Sequence, residues 1–137
     1  MKRIIALFLA FACIFSAAVP AMAAESESTV SPRYTYITQM YAHLSINRST
    51  GRSQSDAHGY APSAGSVKVV CRLQQYTGSS WSTVKTWSST STSVASVSEP
   101  WYVAKGYTYR VFASCYVYNA SGSLIETGSI YSNQVTY

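Results

Sequence analysis

The feature that most constrains the fold is a period-two alternation of apolar and polar residues in two long segments, 66–76 and 107–118. In the first segment, one face carries Val67, Val69, Cys71 and Leu73. In the second, the corresponding face carries Tyr107, Tyr109, Val111, Ala113, Cys115 and Val117. This period predicts two β-strands, each with one face in a core and one face in solvent.

Shorter alternating segments at 34–46, 52–61, 81–87, 92–98 and 123–137 are separated by turn-forming residues. No window has apolar residues at helical spacing together with capping signals. After residue 23 the chain holds 23 Ser and 12 Thr, which suit turns and the solvent side of strands. We therefore predict an all-β domain over 34–137, an antiparallel β-sandwich of about seven strands.

The first 23 residues have the pattern of an export signal. Lys2 and Arg3 precede an apolar run over 4–19, and the small-residue site 21–23 follows. The run is too short for a comfortable membrane span, so we expect no transmembrane anchor. We predict a signal peptide over 1–23, a flexible polar leader over 24–33 and an extracellular location.

Two cysteines remain after the predicted signal, Cys71 and Cys115. Both have the parity of core residues on their strands, and an exported chain is in an oxidising compartment. We expect one disulfide, which could cross between two sheets. Two buried, unpaired thiols are the alternative.

The arrangement resembles an immunoglobulin-like domain, with two core cysteines on long strands and Trp81 ten residues after the first. The tyrosine expected two residues before the second cysteine is replaced by Ala113. We therefore predict the sandwich architecture without assigning the antibody family.

Several short segments carry a closer resemblance: Tyr-Thr-Tyr-Ile at 34–37, Leu-Gln at 73–74, the run 77–88, Tyr-Arg-Val at 109–111, and 118–122 with Glu126. In these segments the chain is similar to an uncharacterised family of small secreted proteins of Gram-positive bacteria. Each has an export signal and a single immunoglobulin-like β-domain. The resemblance implies the fold and export, and it assigns no catalytic residue.

Aromatic residues are abundant in this chain, and they are the residue class that could bind a ligand. Tyr116 and Tyr118 have the parity opposite to Cys115, and with Tyr41 they could form an outward strip for sugars or a protein. Arg72 and Arg110 point outward from the same long strands and could orient such a ligand. Ordinary cross-strand pairing is the alternative interpretation of these rings. Trp81 and Trp87 have equal parity on one predicted strand.

The residue pattern gives little support to a catalytic function. Asp56 and His58 could form an acid–base pair, but the chain lacks a Gly-x-Ser-x-Gly nucleophile motif. His43, His58 and Asp56 lack a closely spaced third nitrogen or thiolate ligand. We predict no enzyme activity, no metal and no cofactor.

The net charge is +5, or about +3 once the predicted signal is removed, and the basic residues are scattered. A nucleic-acid partner is therefore not expected. The sequence favours a secreted, non-catalytic binding or adhesion module for a surface glycan, a cell-envelope polymer or a protein. A bacteriocin-like effector that acts on other cells is the alternative.

Overall fold

The structure, a computed structural model, describes residues 33–137. The predicted signal peptide and all of the predicted leader except Arg33 lie outside this range. Eight strands make up the domain: β1 (Gln39–Ile46), β2 (Arg52–Tyr60), β3 (Ser66–Tyr76), β4 (Trp81–Ser91), β5 (Val94–Tyr102), β6 (Thr108–Tyr118), β7 (Leu124–Tyr131) and β8 (Val135–Thr136). None of the elements within 33–137 is a helix long and apolar enough to cross a membrane.

The strands form two antiparallel sheets, which confirms the predicted all-β sandwich. One sheet has the order β1-β2-β5, and the other has the order β4-β3-β6-β7 with β8 also paired to β6. The two segments with the clearest alternation, β3 and β6, are neighbours in the larger sheet over ten residue pairs. They are 11 residues each and carry most of the buried side chains.

The inner faces of the two sheets enclose one core. Its largest fully buried side chains on β1, β3 and β6 include Leu44, Leu73, Val111 and Tyr109. The facing side of β2 carries only small residues, namely Ser53, Ser55, Ala57 and Gly59. These let the smaller sheet approach closely: a Cβ added at Gly59 would lie 2.6 Å from Sγ of Cys115.

The predicted disulfide is wrong, because Cys71 and Cys115 are both buried and free. They lie on neighbouring strands, where Cys71 is opposite Ala113 and Cys115 is opposite Val69. This diagonal separates Cα atoms by about 7–8 Å, whereas a disulfide spans about 4.4–6.8 Å. Across the sandwich, Cys115 faces Gly59 rather than a thiol. Burial raises the pKa of Cys71 to about 12 and that of Cys115 to about 11, so both stay protonated at neutral pH.

Position 113, two residues before Cys115, is alanine, but a buried tyrosine, Tyr109, lies near the start of β6. The hydroxyl of Tyr109 donates to the backbone oxygen of Ala104 at 2.8 Å, in the connection that follows β5. The ring is 1% exposed. The bond to Ala104 resembles the tyrosine corner of immunoglobulin domains, although Tyr109 lies six residues before Cys115 and not two. Burial raises the pKa of the Tyr109 phenol, although its bond to Ala104 acts in the opposite direction.

The expectation that Trp81 and Trp87 share a face is also wrong. The β3–β4 register shifts at the step from Leu73 to Gln74, where β4 has one extra residue. Such a bulge reverses the parity of the side chains beyond it. Trp81 therefore lies on the outer face of the larger sheet, while Trp87 packs against the core and meets the edge of Trp101.

We predict that Tyr109→Phe lowers the free energy of unfolding by about 1–3 kcal/mol, because the Ala104 oxygen loses its buried donor. Urea denaturation followed by tryptophan fluorescence measures the change. Tyr107→Phe is the matched control, since Tyr107 is 41% exposed. Equal stability of the two variants would contradict the structural role given to the Tyr109 hydroxyl.

Candidate functional site

The outer face of the larger sheet holds a continuous series of aromatic rings and guanidinium groups, which we call the aromatic–cation stack. Its members in order of contact are Tyr76, Trp81, Arg110, Tyr131, Phe112 and Arg72. Four strands contribute, namely β3, β4, β6 and β7. The stack therefore depends on the register of the whole sheet.

Arg110 is the most tightly held member of the stack. Its guanidinium carbon lies 4.1 Å from the ring centre of Trp81 and 4.0 Å from that of Tyr131. Both distances are well within the range of cation–π attraction. Its Nε donates to Oε1 of Gln74 at 2.9 Å, which fixes the rotation of the group. The guanidinium is thus oriented by two rings and an amide.

A groove lies beside the stack, and the strand register explains it. One row of paired residues across β3, β6 and β7 has shorter side chains than the rows beside it. It consists of Val70, Ser114 and Ser129. On one side the next outward residues of β3 and β6 are Arg72 and Phe112. On the other side stand Lys68, Tyr116 and Thr127. The large side chains form two walls, the serines form the floor, and the space has a volume of about 560 Å³.

Arg72 lines the groove and is held by two contacts. Its Nη1 donates to Oγ of Ser114 at 3.0 Å, and its guanidinium carbon lies 5.7 Å from the ring centre of Phe112. Neither of these contacts neutralises the charge of the guanidinium. Ser114 is only 7% exposed, so its hydrogen bond with Arg72 lies at the floor of the groove.

The acidic residues of the described part of the chain lie elsewhere. Asp56 is on β2 and Glu99 is on β5, both in the smaller sheet. Glu126 is opposite the core residue Val117 and accepts hydrogen bonds from the segment before β1. Within residues 33–137, the outer face of the larger sheet therefore carries three basic side chains and no carboxylate. These basic residues are Lys68, Arg72 and Arg110.

The structure brings together four of the five residues predicted as a site. Arg72, Arg110, Tyr116 and Tyr118 share this outer face. Both tyrosines are half-buried between their neighbours. Tyr41 is 45% exposed but lies on β1 in the other sheet, with its ring beside His43 and His58. The expectation of one strip containing all three tyrosines is therefore wrong.

The pair suggested for catalysis has a different geometry from the one catalysis requires. Asp56 lies 3.9 Å from Nδ1 of His43, and its Oδ1 accepts a 2.6 Å hydrogen bond from Oγ of Ser98. The carboxylate thus stands between the hydroxyl and the imidazole. In a nucleophilic triad the imidazole must stand between them, so that it can take the hydroxyl proton. The ring of His58 contacts Tyr41 instead.

No group of three or more His, Cys, Asp or Glu side chains within 33–137 is arranged to hold a metal ion. The two free thiols are in the core, and the two histidines lie on the outer face of the smaller sheet.

Glu126 holds the chain segment that lies beside one end of the groove. Its carboxylate accepts hydrogen bonds from the backbone N–H groups of Thr35, Tyr36 and Ile37 at 2.6, 2.9 and 2.7 Å. The preceding residue, Tyr34, lines the groove at the β7 edge. Burial alone would raise the pKa of Glu126, but the three N–H donors outweigh it and lower the pKa.

Five residues that organise this face are not among the predicted site residues: Trp81, Phe112, Tyr131, Ser114 and Ser129. The alternation of β6 already places Phe112 and Ser114 on the face of Arg110, so these two could have been found. Trp81 was hidden by the bulge in β4. Tyr131 and Ser129 depend on the register of β7 against β6, which the residue pattern of β7 does not define.

A comparison with protein-family models finds no match, and a comparison with curated proteins finds none either.

We predict that Glu126→Gln lowers the free energy of unfolding at neutral pH by about 1–2 kcal/mol, a figure reduced for solvent screening. Because folding lowers the pKa of Glu126, its stabilising effect is present above the ordinary value of 4.5 and is lost as the pH falls through the folded-state value. Urea titrations between pH 3 and pH 7, about the range in which a carboxylate ionises, measure this effect. Toward acid pH, the free energy of unfolding should fall less steeply in the variant than in the wild type.

Glu99→Gln is the control for this experiment, because Glu99 is exposed on β5. It should leave both the stability and its pH dependence nearly unchanged. If Glu126→Gln matched this control, the carboxylate would not be the anchor of residues 35–37.

Proposed function

We propose that the protein is a secreted, non-catalytic binding module that attaches to a surface glycan or cell-envelope polymer. The contact surface is the outer face of the larger sheet, formed by the aromatic–cation stack and the adjoining groove. Export is supported by the basic, apolar and small-residue pattern of residues 1–23. The resemblance to small secreted proteins of Gram-positive bacteria supports the same location.

One observation carries the proposal: two arginines are oriented on an open sheet face on which the described residues, 33–137, place no carboxylate to neutralise them. Arg110 is enclosed by Trp81 and Tyr131, and Arg72 is bonded to Ser114. Fixing these groups before a ligand arrives reduces the entropy lost on binding.

The shape of the face favours an extended ligand. The groove runs across the strands from the β3 side to the β7 edge. On β6 its two walls are Phe112 and Tyr116, which are four residues apart, so their backbones are separated by about 13 Å. It is open to solvent rather than closed around a small molecule. A linear polymer could follow the serine floor and contact both walls.

The experiment that tests this proposal measures binding to immobilised cell-envelope polymers and glycans. It uses residues 24–137, the chain without its predicted signal peptide, which we call the mature chain. We predict that Tyr131→Ala weakens binding at least tenfold, because Arg110 loses one of its two rings and Phe112 loses its stacking partner. Tyr41→Ala is the matched control on the opposite face and should change binding less than twofold. Circular dichroism checks that both variants are folded.

Two results would overturn the proposal. If Tyr41→Ala weakened binding as much as Tyr131→Ala, the contact surface would lie on the smaller sheet. If the wild-type chain bound no polymer and inhibited the growth of other bacteria, the effector alternative would replace the binding module.

A further inference from the structure

We propose that the ligand is an acidic polymer, and that one of its carboxylate or phosphate groups binds in the groove beside Arg72. This inference rests on the proposed function and specifies the chemistry of the ligand. It is drawn from three properties of the face: how its rings are used, where its charges lie, and which donors meet in the groove.

The aromatic rings of the stack are already in contact with cations and with each other. Tyr131 has Arg110 at 4.0 Å and Phe112 at 4.7 Å, measured between group centres. Trp81 has Arg110 at 4.1 Å and Tyr76 at 5.2 Å. A module for neutral sugars needs ring faces that are free for stacking. Here the rings orient guanidinium groups, so the guanidinium groups are the parts offered to the ligand.

The distribution of charge selects an anion. Residues 33–137 hold eight basic and three acidic side chains, and all three acidic ones are away from this face. Lys68, Arg72 and Arg110 all project from it. A face of one sign attracts polymers of the opposite sign and speeds their association. A repeating anion could engage the three cations together, which increases avidity.

The groove supplies the donors that an anionic group needs. Arg72 presents a planar set of N–H donors, of which one is committed to Ser114. The remaining edge can bind a carboxylate or a phosphate through two parallel hydrogen bonds. Hydroxyl groups of Ser129, Thr127 and Tyr116 line the same space and can bond to further oxygens of the ligand.

The same geometry makes arginine different from lysine at position 72. Arg72 donates one N–H to Ser114, and its planar guanidinium still has parallel N–H donors left to pair with a carboxylate or a phosphate. A lysine would keep the charge but lose the paired hydrogen bonds. Arg72→Lys therefore separates specific recognition from general electrostatic attraction.

The test compares polymers that differ mainly in charge. The mature chain is titrated with polygalacturonate, with its fully methyl-esterified form, and with poly(glycerol phosphate), each at low and at high salt. We expect binding to at least one of the two acidic polymers, weakened by salt, and no binding to the ester. Which acidic polymer binds more tightly identifies the anion as a carboxylate or a phosphate.

Three variants complete the experiment. On the preferred acidic polymer, Arg72→Ala and Arg72→Lys should each weaken binding at least tenfold. Lys105→Ala removes one charge from the turn before β6, outside the face, and should change binding less than twofold. Arg72→Lys also guards against misfolding, because it preserves the aliphatic stem of the side chain.

The outcomes separate failure of this inference from failure of the proposed function. If the chain bound polygalacturonate and its methyl ester with the same measurable affinity, and Tyr131→Ala were still impaired, the acidic ligand would be overturned and the binding module retained. Equal effects of Arg72→Ala and Lys105→Ala would reduce the interaction to net charge and overturn the site at Arg72. Absence of binding to every polymer in both panels would overturn the proposed function itself.

Discussion

The pairing of β3 with β6 is the constraint on which the rest of the structure depends. Ten residue pairs, from Ser66–Tyr118 to Gln75–Tyr109, fix their register. On the inner side this register assembles the valine-rich core, and on the outer side it aligns Arg72 with Phe112 and Lys68 with Tyr116. A shift by one residue would move every core side chain into solvent. The core and the candidate site are therefore two faces of one pairing.

The two faces of this pairing use small residues for different purposes. Inside, Gly59 lets the smaller sheet contact Cys115, so close packing takes the place of a disulfide. Outside, Ser114 and Ser129 leave room between larger neighbours and produce a groove. The aromatic rings around that groove hold arginines that have no acidic partner on this face among residues 33–137. The buried apolar side chains thus lie on the inner side, and the proposed binding surface lies on the outer side.

The sequence was sufficient for the fold and for much of the site, because strand parity is a local property. Alternation alone identified Val67, Val69 and Leu73 as core residues and Arg72 and Arg110 as outward ones. Parity does not state which strands are neighbours, so the cysteines were placed on facing sheets and Tyr41 was grouped with Tyr116. The bulge in β4 and the pairing of β7 are set by contacts between strands, and for that reason Trp81 and Tyr131 were missed.

The central claim is that the outer face of the larger sheet binds an acidic polymer. Its most direct test is to map backbone amide chemical shifts by NMR while the mature chain is titrated with polygalacturonate or poly(glycerol phosphate). The account predicts that the largest changes cluster at Val70, Ser114 and Ser129, with side-chain changes at Arg72 and Arg110. Changes centred on Tyr41 and His58, or spread evenly over the surface, would contradict it.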